Sequence, residues 1–94
     1  MNEPETETQL DVRVYITPKH GILDPQGATV ERQLPALGFE GVSEVRIGKF
    51  IELKLTPAAD ASKEQIDAQI NEMCRKLLAN PIIEDFTFAV DDQQ

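Results

Sequence analysis

The chain holds one cysteine, Cys74, and one histidine, His20, so its own Cys and His residues cannot form a disulfide or a Cys/His zinc site. No GxxxxGK[ST] phosphate cradle occurs, and no GxGxxG follows a strand-like run. Cys74 falls one helical turn after Ile70 and one before Leu78, the place of a small buried apolar side chain; a nucleophilic thiol would also need a base beside it. His20 lies in a polar loop between Lys19 and Gly21, where an exposed or loop-bonded imidazole is the ordinary outcome and proton transfer the alternative. Asp24 precedes Pro25 and is placed to cap a helix. The loop over 21–27 could otherwise offer backbone N–H groups to an anion, but a carboxylate in the cap occupies those donors. Lys49 is the charged exception in a run whose other odd positions, Val45, Ile47, Ile51, Leu53 and Leu55, are apolar. Such a lysine snorkels, lies at an edge or points into a partner, unless a bulge at Gly48 shifts the register and turns it to water. Glu84 interrupts the last apolar run in the same way, with solvation at a strand end as the simple explanation.

These residues have to be held by a small set of elements. Leu10, Val12, Val14 and Ile16 alternate with Asp11, Arg13, Tyr15 and Thr17, the period of a half-buried strand, and Pro18 ends it. After the Asp24 cap, Gly27, Val30, Leu34 and Leu37 recur at helical spacing, and Gly38 is a natural stop. Pro35 should kink or shorten the last turn. The alternation over residues 43–56 predicts a second strand that at ~3.3 Å per residue would reach ~45 Å, about twice the usual length. It must overhang its sheet or bend, with Gly48 as the bend; a tight hairpin at Gly48-Lys49, giving a βαββαβ order, is the alternative. An overhanging strand is an open edge that invites a second chain. Ser62 and Gln65 suggest a capping box for a helix with an apolar stripe of Ile66, Ile70, Met73, Leu77 and Leu78, stopped by Asn80-Pro81. A last strand over 82–90 follows. The order is βαβαβ, an α+β fold of ferredoxin-like character.

At 94 residues the chain makes one domain over 10–90, flanked by a disordered acidic tail over 1–9 and a frayed tail over 91–94. A chain this small buries only somewhat over ~60% of its unfolded surface, so a partner is expected to support it. Five of its seventeen acidic residues lie in those tails, which leaves the domain mildly acidic within a formal net charge of −8. With no Lys/Arg cluster, nucleic acid is excluded as a partner. No apolar run reaches the ~20 residues of a membrane span, and the acidic start is unlike a signal peptide. The expected compartment is the cytoplasm.

The run His20-Gly21-Ile22-Leu23-Asp24-Pro25-Gln26-Gly27, then Leu37-Gly38-Phe39, Val45-Arg46-Ile47-Gly48-Lys49-Phe50-Ile51-Glu52-Leu53 and Asn80-Pro81-Ile82-Ile83-Glu84-Asp85, resembles the signature of the PurS-type small subunit of phosphoribosylformylglycinamidine synthase across most of residues 10–90. The resemblance implies a long bent central strand and an antiparallel sheet with two helices on one face. It implies a noncatalytic subunit, homodimeric or tetrameric, that joins a glutaminase subunit to a large ATP-dependent synthetase subunit. That complex converts formylglycinamide ribonucleotide, ATP and glutamine to formylglycinamidine ribonucleotide, ADP, phosphate and glutamate, and the small subunit assists the passage of ammonia. ATP and Mg belong to the synthetase; no cofactor, metal or catalytic residue is implied for this chain. Among the matching positions, Gly21, Gly27, Gly38, Gly48 and Pro81 shape turns and bends, and Arg46, Lys49, Asp24 and Gln26 are candidates to touch a partner. Readings of a different class are a ferredoxin-like regulatory domain holding a small ligand and a purely structural oligomerisation module.

Overall fold

The structure, a computed structural model, describes residues 9–92; all of the expected acidic tail except Gln9 lies outside them. β1 (Leu10–Pro18) follows the alternation, burying Leu10, Val12, Val14 and Ile16. It is bonded on both edges, to β2 (Lys49–Leu55) and to β3 (Glu84–Asp92), in an antiparallel sheet of order β2-β1-β3. With two helices the fold is α+β and ferredoxin-like, and β2, central in the sequence, is an edge strand of the sheet.

The second strand is shorter than its sequence pattern. Residues 42–48, which we call the arm, are unpaired within the chain, so the hydrogen-bonded strand begins at Lys49 rather than near residue 43. The reason lies in β1. Pro18 has no N–H, and beyond it the chain turns, the Ile22 N–H donating to the Lys19 carbonyl at 3.2 Å, so nothing in the chain is left for the arm to pair with. The positive φ in this stretch is not at Gly48, the residue expected to bend it. Glu44 takes the left-handed conformation at φ 56°, while Gly48 is small because a Cβ there would collide with the Ile16 carbonyl oxygen. No hairpin forms at Gly48-Lys49; β2 is one strand.

α2 (Lys63–Met73) opens on a complete capping box between Ser62 and Gln65 and carries Ile70 and Cys74 into the core over β1. The helix then widens into a π-turn (Cys74–Leu78), in which the Ala79 N–H donates to the Cys74 carbonyl at 2.9 Å, five residues back. The wider turn breaks the 3.6-residue phase. Leu78 is half-buried and Ala79 buried, while Leu77, expected in the apolar stripe, is 83% exposed. The last strand starts two residues later than its pattern because 81–83 form a turn on Asn80, whose carbonyl accepts the N–H groups of Ile83 and Glu84. It also runs on through Asp91 and Asp92, expected to fray, because Asp11 and Leu10 stand opposite them.

α1 (Pro25–Ala36) is a different kind of helix. Pro35 does not break it; the chain closes in a Schellman motif, with the Phe39 N–H on the Leu34 carbonyl and Gly38 at φ 99°. Gly27 is its only buried residue, and it supplies no side chain to the core, whereas α2 supplies Ile70. What holds α1 is the arm. Asp24 caps the helix by accepting the Gly27 N–H at 3.1 Å through Oδ1, and its Oδ2 accepts the Ile47 N–H at 2.9 Å. Glu31 accepts the Val45 N–H at 3.1 Å. Gly27 has no room for a Cβ between the Asp24 carboxylate and the Val45 carbonyl.

Two outcomes follow from this division. Ile70→Ala removes a side chain with no exposure from the one helix that, among the described residues, packs on β1, and urea unfolding is expected to show a loss of about 2–5 kcal/mol. The amides of Ile47 and, to a lesser degree, Gly27 hold the Asp24 carboxyl below the usual carboxylate range. A depressed folded value makes its contribution complete above the ordinary carboxyl pKa of about 3.9 and lost as pH falls through the folded value. Amide exchange at Ile47 should therefore accelerate on acidification below about pH 4 relative to β1 amides. Asp24→Ala should show the same loss already at neutral pH; unchanged Ile47 protection in that variant would refute the clamp.

Candidate partner interface

The charged residues that interrupt the apolar patterns meet at one end of the sheet. Lys49 pairs in register with Ile16, and Glu84 with Pro18, so both stand on the face that carries Val12, Val14 and Ile16. The Lys49 Nζ reaches diagonally over β1 to the Glu84 Oε2 at 3.4 Å. The Glu84 side chain is 16% exposed, and its Oε1 accepts the Asn80 N–H at 2.7 Å; the Lys49 side chain is 62% exposed. The register at Lys49 is therefore not flipped by a bulge, and the two residues that looked anomalous in separate strands compensate each other. The carboxylate thus has a donor on one oxygen and a counter-charge beside the other.

Around this pair the arm is bonded to its surroundings at successive residues. Arg46 donates from Nη1 to the Pro18 carbonyl at 2.9 Å, and the Lys19 N–H donates to the Ile83 carbonyl at 2.9 Å. Lys19 Nζ meets Asp85 Oδ1 at 2.7 Å; that contact, with Arg46 and His20 nearby, holds the Asp85 carboxyl below its usual range. The candidate anion loop is lined by Lys19, His20 and Arg46, but also by Asp24, Glu31 and Glu44. Its Asp24 is committed to the helix cap, as the cap assignment expects. Cys74 is buried in the core, and burial pushes its thiol pKa up, away from the nucleophilic thiolate.

The four contact candidates are thus of two kinds. Asp24, Arg46 and Lys49 each make an internal contact in or beside the arm. Gln26 is exposed beside Pro25, Thr29, Val30 and Ile47, on the outer surface of α1. Pro81 lies in the turn on Asn80, Gly21 turns the loop at φ 86°, and Gly38 ends α1. Sequence reasoning missed Glu31 and Asn80 as arm and strand anchors, since neither breaks a pattern. It also missed the exposed apolar surface of α1 and the arm, where Leu37 is 71% exposed and Phe39, Val42 and Ile47 are uncovered. The signal was present: helical spacing shows that Val30, Leu34 and Leu37 share a face, and cannot show what covers it.

Comparison with known proteins places this architecture. The profile of the family described as PurS: Phosphoribosylformylglycinamidine (FGAM) synthase matches residues 11–92. The chain is 41% identical over 81 residues to the phosphoribosylformylglycinamidine synthase subunit PurS of Bacillus subtilis, covering 86% of this chain and 92% of that one. It is 41% identical over 87 residues to the PurS subunit of Synechocystis, covering 93% and 84%. Among solved structures it is similar to Thermus thermophilus PurS, with a TM-score of 0.74 at 36% identity over 92% of this chain and 99% of that one. It is also similar to a chain of PurLQS from Thermotoga maritima, with a TM-score of 0.70 at 26% identity over 90% and 98%. Family profile, sequence identity and backbone similarity each cover most of the chain, and the chain belongs to the PurS family of phosphoribosylformylglycinamidine synthase.

Proposed function

We infer that this chain is the noncatalytic small subunit of a phosphoribosylformylglycinamidine synthase complex of purine biosynthesis, acting in the cytoplasm as a bridge between the ATP-dependent synthetase and the glutaminase. Beyond family membership, the observation that supports a bridging role is the arm and α1: a helix with one buried residue, followed by exposed Leu37 and Phe39, beside an unpaired backbone segment that exposes Val42 and Ile47. Four large apolar side chains left uncovered within eleven residues are the kind of surface that a partner covers. A second copy of this chain covers part of it, through the arm backbone, and the larger subunits the rest. Gln26 lies on this surface and touches a partner directly. Asp24, Arg46 and Lys49 act by holding the surface in place. ATP and Mg bind the synthetase, and this subunit serves the reaction by bringing the ammonia-producing and ammonia-consuming sites into one assembly.

Light scattering of the isolated chain should give at least a dimer at micromolar concentration. Tagged protein should retain untagged synthetase and glutaminase when glutamine, ADP and the substrate ribonucleotide are present. Glutamine-driven synthesis should require this chain, while synthesis driven by added ammonium on the synthetase alone should not. Failure to retain either subunit, together with undiminished glutamine-driven synthesis in its absence, overturns the assignment.

The buried thiol gives a second outcome. Cys74→Ser places a hydroxyl in an apolar core and is expected to lower stability by about 1–3 kcal/mol. The assembled complex should keep full glutamine-driven activity when compared at equal concentration of folded complex. A loss under those conditions would give Cys74 a chemical role.

A further inference from the structure

We propose that Glu84 is a positioning residue: its carboxylate, anchored on the Asn80 N–H, grips Lys49 across β1 and so fixes the direction in which the arm leaves the sheet. Three features of the junction carry this. Glu84 is the acidic residue on the core-facing side of β3 whose side chain is mostly withdrawn from water, and its two oxygens are divided between Asn80 N at 2.7 Å and Lys49 Nζ at 3.4 Å. Lys49 is the first bonded residue of β2, the point where the free arm becomes strand. On its arm side stands Gly48, pressed against the Ile16 carbonyl with no space for a side chain, so the backbone there cannot be steered by packing of its own. A chain leaving a sheet through a glycine is free to swing unless something on either side of it is tied down. On the arm side Val45 and Ile47 are tied to Glu31 and Asp24, and Arg46 to the Pro18 carbonyl; on the strand side Lys49 is tied to β3 by Glu84.

The inference rests on the arm being an assembly surface, and it changes what Lys49 does. Lys49 touches no partner in this account; its removal acts through the unpaired Glu84 carboxylate and the loosened arm. The two residues are then one device, and their effects must not add.

The test uses the full chain and has two separate readouts. In the isolated protein, amide exchange at Val45 and Ile47 reports whether the arm is held; in the mixture with synthetase and glutaminase, capture affinity reports assembly. Glu84→Gln keeps an acceptor for Asn80 and removes only the charge. It and Lys49→Met should each speed arm exchange and weaken capture by about 2- to 5-fold, and the double variant should be no worse than either. Exchanging the charges, with Lys49→Glu and Glu84→Lys together, should recover much of the loss, which a merely packed residue would not allow. Lys63→Ala, which breaks an exposed ion pair with Asp67 on α2, should change neither readout. Should Glu84→Gln fail to fold, Lys49→Met and the exchanged pair still decide, since recovery by exchange requires the pair. The proposal is overturned if Lys49→Met weakens capture while arm exchange stays at the wild-type rate, or if the two single effects add. If wild-type protein captures neither subunit, the bridging assignment fails, and arm exchange alone continues to test the grip.

Discussion

β1 is the strand on which both halves of the molecule are hung. It alone is bonded along both edges, and its inward residues Val12, Val14 and Ile16 are the floor on which α2 lies. Near its C-terminal end the two edges differ: the ladder to β2 ends at Ile16 opposite Lys49, whereas the ladder to β3 runs two residues further, to Pro18 opposite Glu84. A proline at that position removes the next ladder donor, and the turn that follows carries the chain away. The free arm, the ion pair over Ile16 and the detachment of α1 from the core are consequences of where one strand ends.

The two faces of the sheet are finished in different ways. The inner face is apolar under α2. The outer face carries Arg13 with Asp91 and Lys54 with Asp11, each at 2.6 Å, and the stacked rings of Tyr15 and Phe50, 5.3 Å apart. Exposed ion pairs of this kind contribute about 0.2–1 kcal/mol each. They serve the register as much as the stability, because a slip of one residue would bring the charged positions under the helix.

Much of this was legible in the sequence. The alternation in Leu10 to Thr17, the Asp24-Pro25 helix start and the Ser62/Gln65 box each correspond to a local interaction, and each formed as read. The family resemblance stood on Gly and Pro positions that the backbone demands. What failed to show was whatever depends on a partner or on phase. The pattern over 43–56 is that of a strand, but a pattern cannot tell which residues find a neighbour. Leu77 read as core because a helix was counted at 3.6 residues per turn through a segment that widens. Lys49 and Glu84 were each flagged as anomalies; only the sheet order, with one strand between them, makes them a pair.

The register also determines how the protein can assemble itself. β1 meets β3 across the chain, with Lys19 bonded to Asp85 at a separation of 66 residues, and none of the β1 pairings is a local hairpin. Closing loops of this size costs chain entropy before any contact repays it, so the sheet forms late, while α2 and the Asp24 and Schellman ends of α1 need only their neighbours. During that interval the alternating apolar strand Leu10–Pro18 has no partner on either edge. A chain that folds in this order is exposed to mispairing for as long as β1 waits. Of the two pairings, the one with β3 closes the larger loop and carries the larger entropy of closure.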